Sequence, residues 1–266
     1  MLTRLLRPAH RPAPAAIPGG RRLYAIGDVH GRLDLLDALL AKIDADDAAR
    51  GPADRTIIFL GDLIDRGPDS AGVVERVYRL AQSTSGVRVL MGNHEEVFAR
   101  AISGDVQALR HFCTMGGRET LLSYGIGAAD YAALDYSELL ARLQQCVPGH
   151  HQAFINGFEN LIEIGSYAFV HAGIRPGVPL AEQQPADLRW IRDIFLNHQA
   201  AFERIIVHGH TISARVDEQP NRIGIDTGAY TSGCLTALGL ETTRRWYVNS
   251  TVDGAHSRTF AAKSTS

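Results

Sequence analysis

The chain has little cysteine, almost no net charge and no long apolar run. Its three cysteines, Cys113, Cys146 and Cys234, are far apart and form no CxxC pair. That spacing argues against a disulfide framework or a thiolate zinc site, and it fits a reducing cytoplasm. A formal net charge of −2 provides no general attraction to a nucleic-acid polymer or a membrane surface, so an anionic substrate has to be held by local cations. No stretch approaches the roughly 18 to 20 apolar residues of a membrane span. The first 22 residues, MLTRLLRPAHRPAPAAIPGGRR, hold five arginines and no acid, and their prolines and alanines replace the continuous apolar segment of a secretory signal. A flexible basic leader is therefore expected over 1–22 and a small, polar, flexible tail over 251–266. What lies between, in a chain of 266 residues that is 45% hydrophobic, suffices for one buried core and one catalytic domain over 23–250.

What is present is a repeated layout. Six strand-like apolar runs end in polar clusters: LYAIGDVHG, TIIFLGDLIDRG, VRVLMGNHE, YAFVHAG, IIVHGHT and RIGIDTG. A strand followed by a glycine-flanked loop puts its last side chains at a sheet edge, and open α/β sheets bind ligands beyond the carboxyl ends of their strands. The first three runs alternate with the helical patterns RLDLLDALLAKIDA, AGVVERVYRLAQS and a helix over 96–102. This predicts β-α-β-α-β with parallel strands at 23–26, 56–60 and 87–91. Over 103–151 only helical patterns occur (VQALRHF, RETLLSYG, YSELLARLQQ), expected to form an insert facing the substrate. Strands return at 161–164, 167–170, 204–207, 222–225, 235–240 and 245–248, and their short spacing predicts a mixed second sheet. Between two of them, ADLRWIRDIFLNH reads as a short helix or turn that carries Arg192 toward the site.

The polar clusters are rich in metal ligands. Asp28 and His30 are two apart, so they point to the same side of an extended strand end and can share one ion. Asp62 can bridge two ions with its two oxygens, at the roughly 3.5 to 4 Å separation of a two-metal hydrolase. Arg66 can fork onto two phosphate oxygens. Asn93 offers a neutral oxygen ligand. The adjacent His94 diverges from it and suits a general acid, with Asp65 fixing its tautomer and keeping it protonated. His171 and one of the pair His208 and His210 complete the second ion's shell, and spacing does not choose between the last two. Asp, Asn and His without cysteine suit Mn2+, Fe2+ or catalytic Zn2+. Such a centre hydrolyses phosphate esters or anhydrides. His10, His111, His150, His151, His198 and His256 lack a partner motif and are read as structural or solvent-facing. Arg118 in the insert is a weaker candidate for touching a leaving group.

In order, GDVHG, GDLIDRG, GNHE, HAG and a late GHT resemble the signature of the phosphoprotein phosphatase family of binuclear metallophosphoesterases, over about 23–240. HAGIRPG, WIRDIFL and IDTGAY resemble its bacterial branch, which also contains dinucleoside tetraphosphatases. Two departures stand out: Ala172 replaces a glycine of HGG, and IDTGAY, with Tyr230, stands where eukaryotic members carry a SAPNY-type loop. The resemblance implies an α/β fold, a calcineurin-like β-sandwich of two mixed sheets flanked by helices with a helical insert. It implies two divalent ions, Mn2+ first, the first held by Asp28, His30 and Asp62 and the second by Asp62, Asn93, His171 and His210, with His208 a neighbour. It makes Arg66, Asn93, His94 and Arg192 phosphate contacts.

Two substrate classes follow. The first is a phosphoserine or phosphothreonine protein, a monoester hydrolysed by direct attack of metal-activated water; the second is a dinucleoside tetraphosphate. An aromatic that stacks on a base would favour the nucleotide, and the insert offers Phe112, Tyr124, Tyr131 and Tyr136. A non-catalytic metal-binding scaffold is the third reading, disfavoured because no ligand or acid is missing.

Overall fold

The computed structural model describes residues 14–251. Strands β1 (Arg21–Ile26), β2 (Asp54–Phe59) and β3 (Val87–Val89) are parallel neighbours. Helices α1 (Leu33–Arg50) and α2 (Ser70–Ser83) connect them, and α3 (Asn93–Ile102) follows. The two-residue pleat sorts each strand's apolar run onto two faces. Tyr24, Ile26, Ile57 and Phe59 pack with the helices, whereas Leu23, Ala25, Ile58 and Leu60 pack with the second sheet. That double burial is why these strands read as continuous apolar runs.

The insert consists of α4 (Val106–Phe112), α5 (Arg118–Ser123), α6 (Ala128–Ala133), α7 (Tyr136–Cys146) and α8 (Gly149–Asn156). It shares the helix-side core through Leu109, Phe112, Leu121 and Leu143. The second sheet comprises β4 (Ile162–Ile164), β5 (Tyr167–Phe169), β6 (Ile205–His208), β7 (Asp217–Glu218) and β8 (Arg222–Gly224), in the order β4-β5-β6-β8-β7. Its outer face is covered by α9 (Pro185–Trp190) and α10 (Asp193–Leu196). The architecture is α/β: two mixed sheets face to face, flanked by helices.

Two expectations are corrected. The hairpin β9 (Cys234–Glu241) and β10 (Arg244–Thr251) does not join the second sheet; β9 pairs antiparallel with β1, giving the order β10-β9-β1-β2-β3. Leu235 and Ala237 enter the helix-side core while Leu238 and Leu240 enter the core between the sheets, so the strand needs cover on both faces and finds it beside β1. The expected leader also stops short of residue 22. Ile17 is buried between the sheets and its N–H donates to the Thr242 carbonyl at 2.9 Å. Arg22, 1% exposed, lies within β1 and holds Asp47 at 2.6 Å and Glu241 at 3.0 Å. Residues 1–13 of the expected leader and 252–266 of the expected tail lie outside the described residues, and Thr251 ends β10. Among the described residues no helix is long and apolar enough to cross a membrane.

Candidate metal centre

Strands β1, β2, β3, β5, β6 and β8 each deliver a polar cluster at their carboxyl ends. Non-glycine residues rarely adopt a left-handed backbone, which costs about 1 to 3 kcal/mol and gathers at functional sites. Six do so among the described residues, and five of them are His30 (φ 47°), Asp62 (48°), Asp65 (74°), Arg66 (68°) and His210 (62°). These sharp reversals aim side chains from separate loops at one volume. Glycine is needed where backbone closes on a carboxylate: a Cβ on Gly209 would lie 2.0 Å from Asp28 Oδ1.

Asp62 is the hub. Its Oδ2 lies 3.4 Å from His171 Nε2, 3.7 Å from His30 Nε2 and 3.8 Å from His94 Nε2. Donor atoms of His30, Asp62 and His94 converge in one group, and those of Asp62, His171 and His210 in another, with Asp62 shared. Asn93 Oδ1 is 2.9 Å from His171 Nε2 and 3.0 Å from His210 Nδ1. His30 and His171 donate their Nδ1–H groups to the carbonyls of Ile64 (2.7 Å) and Leu60 (2.8 Å), which turns the Nε2 lone pair of each inward. Asp28 lies outside both converging groups; its Oδ2 accepts the His210 N–H at 3.0 Å, and its buried Oδ1 has no partner. His208 packs edge-on against Phe195 and faces Arg222, so of the pair left open by spacing it is His210 that joins Asp62 and His171.

Burial governs the electrostatics. It pushes Asp28 and Asp65 well above the usual carboxylate range, raises Asp62 and takes Asp226 to about 6. The same desolvation pulls His30 well down and His171 to about 3. Inward-facing carboxylates and imidazole lone pairs without buried cations among them are costly unless they are paired or coordinate a metal. Oxygen and imidazole donors without thiolate fit divalent ions of borderline hardness, and the orphaned Asp28 Oδ1 is a free ligand atom.

Beside this hub, His94 Nδ1 lies 2.5 Å from Asp65 Oδ2, and Arg66 Nη2 lies 3.2 Å from His94 Nε2. Burial pushes both His94 and Asp65 toward their neutral forms. Burial lowers the imidazole's proton affinity, Asp62 opposes that and Arg66 adds to it, while Asp65 is itself pushed toward its neutral form. Asp65 therefore orients the ring rather than charging it. Arg192 is exposed between α9 and α10, and its charge reaches Asp62, His171 and His210.

Three residues escaped the sequence reading. Glu95, fully buried, accepts the N–H groups of Asp62 (2.9 Å), Leu63 (2.7 Å) and Gly92 (3.2 Å), locking the GDLID loop to GNHE; the last letter of that motif was its signal. Asp226, beside Asp28, was signalled by the polar end of the sixth run. Thr120 of α5, whose hydroxyl donates to Asp65 Oδ1 at 2.6 Å, had no signal. The insert's aromatics also differ from expectation. Phe112 and Tyr124 pack on Phe98 in the core, and Tyr131 and Tyr136 lie under Arg118 and Arg110. Tyr230 lies at the cluster instead, edge-on to His30 and 4.8 Å under the Arg66 guanidinium. It lines a groove of about 720 Å³ together with Arg66, Gly31, Arg32 and Pro68. Trp190, 39% exposed, stands two residues before Arg192 and stacks on His111.

Residues 21–255 match the family described as calcineurin-like phosphoesterase. The asymmetrical bis(5'-nucleosyl)-tetraphosphatase PrpE of Anoxybacillus flavithermus is 28% identical over 232 residues, covering 80% of this chain and 88% of that protein. The symmetrical bis(5'-nucleosyl)-tetraphosphatase of Ralstonia nicotianae is 30% identical over 223 residues, covering 81% of this chain and 62% of that one. A solved structure described as a candidate diadenosine tetraphosphatase aligns with a TM-score of 0.58 at 23% identity, over 88% of this chain and 95% of that one, a likeness of fold. The cold-active protein-tyrosine phosphatase of a Shewanella species aligns with a TM-score of 0.52 at 19% identity, over 87% and 80%, again a likeness of fold. Because the family match runs from the first strand through the last, the chain belongs to the calcineurin-like phosphoesterase family.

Proposed function

We propose that this metallophosphoesterase is a bis(5'-nucleosyl)-tetraphosphatase, hydrolysing the anhydride bonds of dinucleoside polyphosphates, the second of the two substrate classes the motifs allow. The observation that carries the reading is the pair of donor groups sharing Asp62, with aromatic Tyr230 under Arg66 at their edge, where a base next to a bound phosphate chain can stack. The similar proteins named as tetraphosphatases support it.

Asp28, His30 and Asp62 would hold one divalent ion, and Asp62, Asn93, His171 and His210 the other, with Mn2+ the first choice and Fe2+ or Zn2+ the alternatives. Ions bound there supply positive charge to phosphoryl oxygens and acidify the attacking water. Arg66 leaves His94 to fork onto the phosphoryl oxygens, and Arg192 grips them from the rim. The water oxygen bonds to phosphorus as the phosphorus–oxygen bond to the departing nucleotide breaks, and no phosphoenzyme forms. A nucleotide phosphate, whose last proton has a pKa of about 6, leaves as the anion at neutral pH. His94 Nε2 can donate a proton where the leaving oxygen is more basic.

That last point supports the second reading, a serine/threonine phosphoprotein phosphatase: the Asp65–His94 pair puts a proton carrier beside Asp62, where an alkoxide leaving group needs one. The test is to strip the protein of metal, add Mn2+, and compare product release from diadenosine tetraphosphate and from a phosphoserine peptide. Faster dinucleotide cleavage is expected, and chromatography of the products distinguishes two diphosphates from a mono- and a triphosphate. Faster peptide turnover would overturn the proposal. Isotopic oxygen from solvent should appear in one product; its absence would rule out direct attack.

A further inference from the structure

Helices α2 and α8 meet at a second cluster of metal-ligating side chains. His150 Nε2 and His151 Nε2 lie 3.0 and 2.8 Å from the same oxygen, Glu75 Oε2. All three donor atoms fall within 4.8 Å of one another. None of the three belongs to the strand-end loops that build the first centre.

We infer that Glu75, His150 and His151 form a separate site for one first-row transition dication of the zinc type, with solvent completing its shell. Two imidazoles and one carboxylate are a recurring three-ligand set that leaves a position open. A tetrahedral shell with bonds of about 2.0 to 2.2 Å spaces its donor atoms by roughly 3.3 to 3.6 Å. Each imidazole nitrogen therefore needs to draw back from the Glu75 oxygen by only a few tenths of an ångström. His150, with a side chain 45% exposed, can provide that movement and the entry path.

The surroundings match what a metal-binding histidine requires. His151 is 4% exposed, and its second ring nitrogen lies 3.0 Å from the Tyr124 hydroxyl. Such a partner on the far nitrogen fixes the ring and its tautomer. On loading, the His151 proton moves from Nε2 to Nδ1, where the Tyr124 oxygen accepts it. The other carboxylate oxygen of Glu75 takes Arg79 at 2.5 Å, which leaves Oε2 for the ion. With nitrogen in the majority, the set favours Zn2+, Ni2+ or Cu2+ over Mn2+. The ion would fasten α8 to α2, whose first residue, Ser70, accepts the Asp65 N–H at 2.9 Å.

The full-length protein, stripped with chelator and titrated with Zn2+ in equilibrium dialysis with elemental analysis, tests this. Wild type should bind one more Zn2+ per chain than His150→Gln/His151→Gln, while Mn2+-supported phosphoester hydrolysis is the same in both. Equal stoichiometry in the two proteins would overturn the site. Should the double variant fail to fold, Tyr124→Phe keeps all three donors and should weaken this one Zn2+ by about 10- to 100-fold. Unchanged affinity in Tyr124→Phe would likewise overturn the assignment.

Discussion

Replacing His94 by Asn should separate the two substrate classes, because leaving groups differ in their need for a proton. His94 makes two side-chain hydrogen bonds at the site, with Asp65 at 2.5 Å and Arg66 at 3.2 Å, while its backbone N–H holds Asp62 Oδ1 at 3.2 Å. The backbone bond survives substitution, so Asp62 keeps its place. A positioned general acid contributes about 10² to 10⁴ in rate, or about 3 to 6 kcal/mol at roughly 1.4 kcal/mol per tenfold. That whole contribution is lost for a phosphoserine peptide, whose alkoxide cannot leave unprotonated at speed. For a dinucleoside polyphosphate the departing nucleotide is already a stable anion, and only the anchoring of Arg66 suffers, about fivefold by analogy with one lost hydrogen bond of ~1 kcal/mol. The assay is kcat/KM for both substrates with saturating Mn2+, with metal content measured alongside because His94 Nε2 also converges on Asp62. The peptide should lose at least tenfold more than the dinucleotide. Equal losses with full metal content would refute leaving-group protonation by His94.

Asp62→Asn should cut turnover by orders of magnitude and lower bound metal, with the circular dichroism spectrum unchanged, because Asp62 belongs to both donor groups; wild-type turnover at full metal content would remove it from the shared position. Thr120→Val deletes the 2.6 Å bond to Asp65 Oδ1 inside a fully buried cluster, and should cost about 1 to 3 kcal/mol in urea unfolding; an unshifted midpoint would make that bond energetically idle. In the metal-free protein, Glu75 has a folded value of about 2 against an ordinary 4.5. The folded state therefore binds fewer protons between those values, and the carboxylate's stabilisation, complete above 4.5, is lost as pH falls through about 2. Glu75→Gln should flatten that acid limb of the stability profile, and an unaltered slope would show that Glu75 is not linked to folding.

Much of the site was legible because its determinants are local. Each polar cluster directly follows an apolar run, and period-two alternation with flanking glycine is enough to place Asp28, His30, Asp62, Asn93 and His171 at strand ends. The parallel β1-β2-β3 unit followed from the same pattern. The position of β9 was not legible: its two apolar faces say that it is covered on both sides, and only assembly of the sheets says that β1 covers it. The end of the leader was misjudged for a related reason. A run of arginine and proline looks solvated until Asp47 and Glu241, distant in sequence, surround Arg22.

The order of chemistry-bearing loops, the donor types and the absence of cysteine among them are properties of the sequence itself, set by residue identity and strand periodicity. Tertiary structure decided what spacing could not: that His210 rather than His208 turns to Asp62, through a left-handed backbone at residue 210; that Asp65 is anchored by Thr120 from the insert; and that Tyr230, not the insert's own aromatics, stands at the centre. Each of these depends on groups that meet only when separate elements pack, and on burial, which sets proton affinities and has no value for a residue until its neighbours are in place.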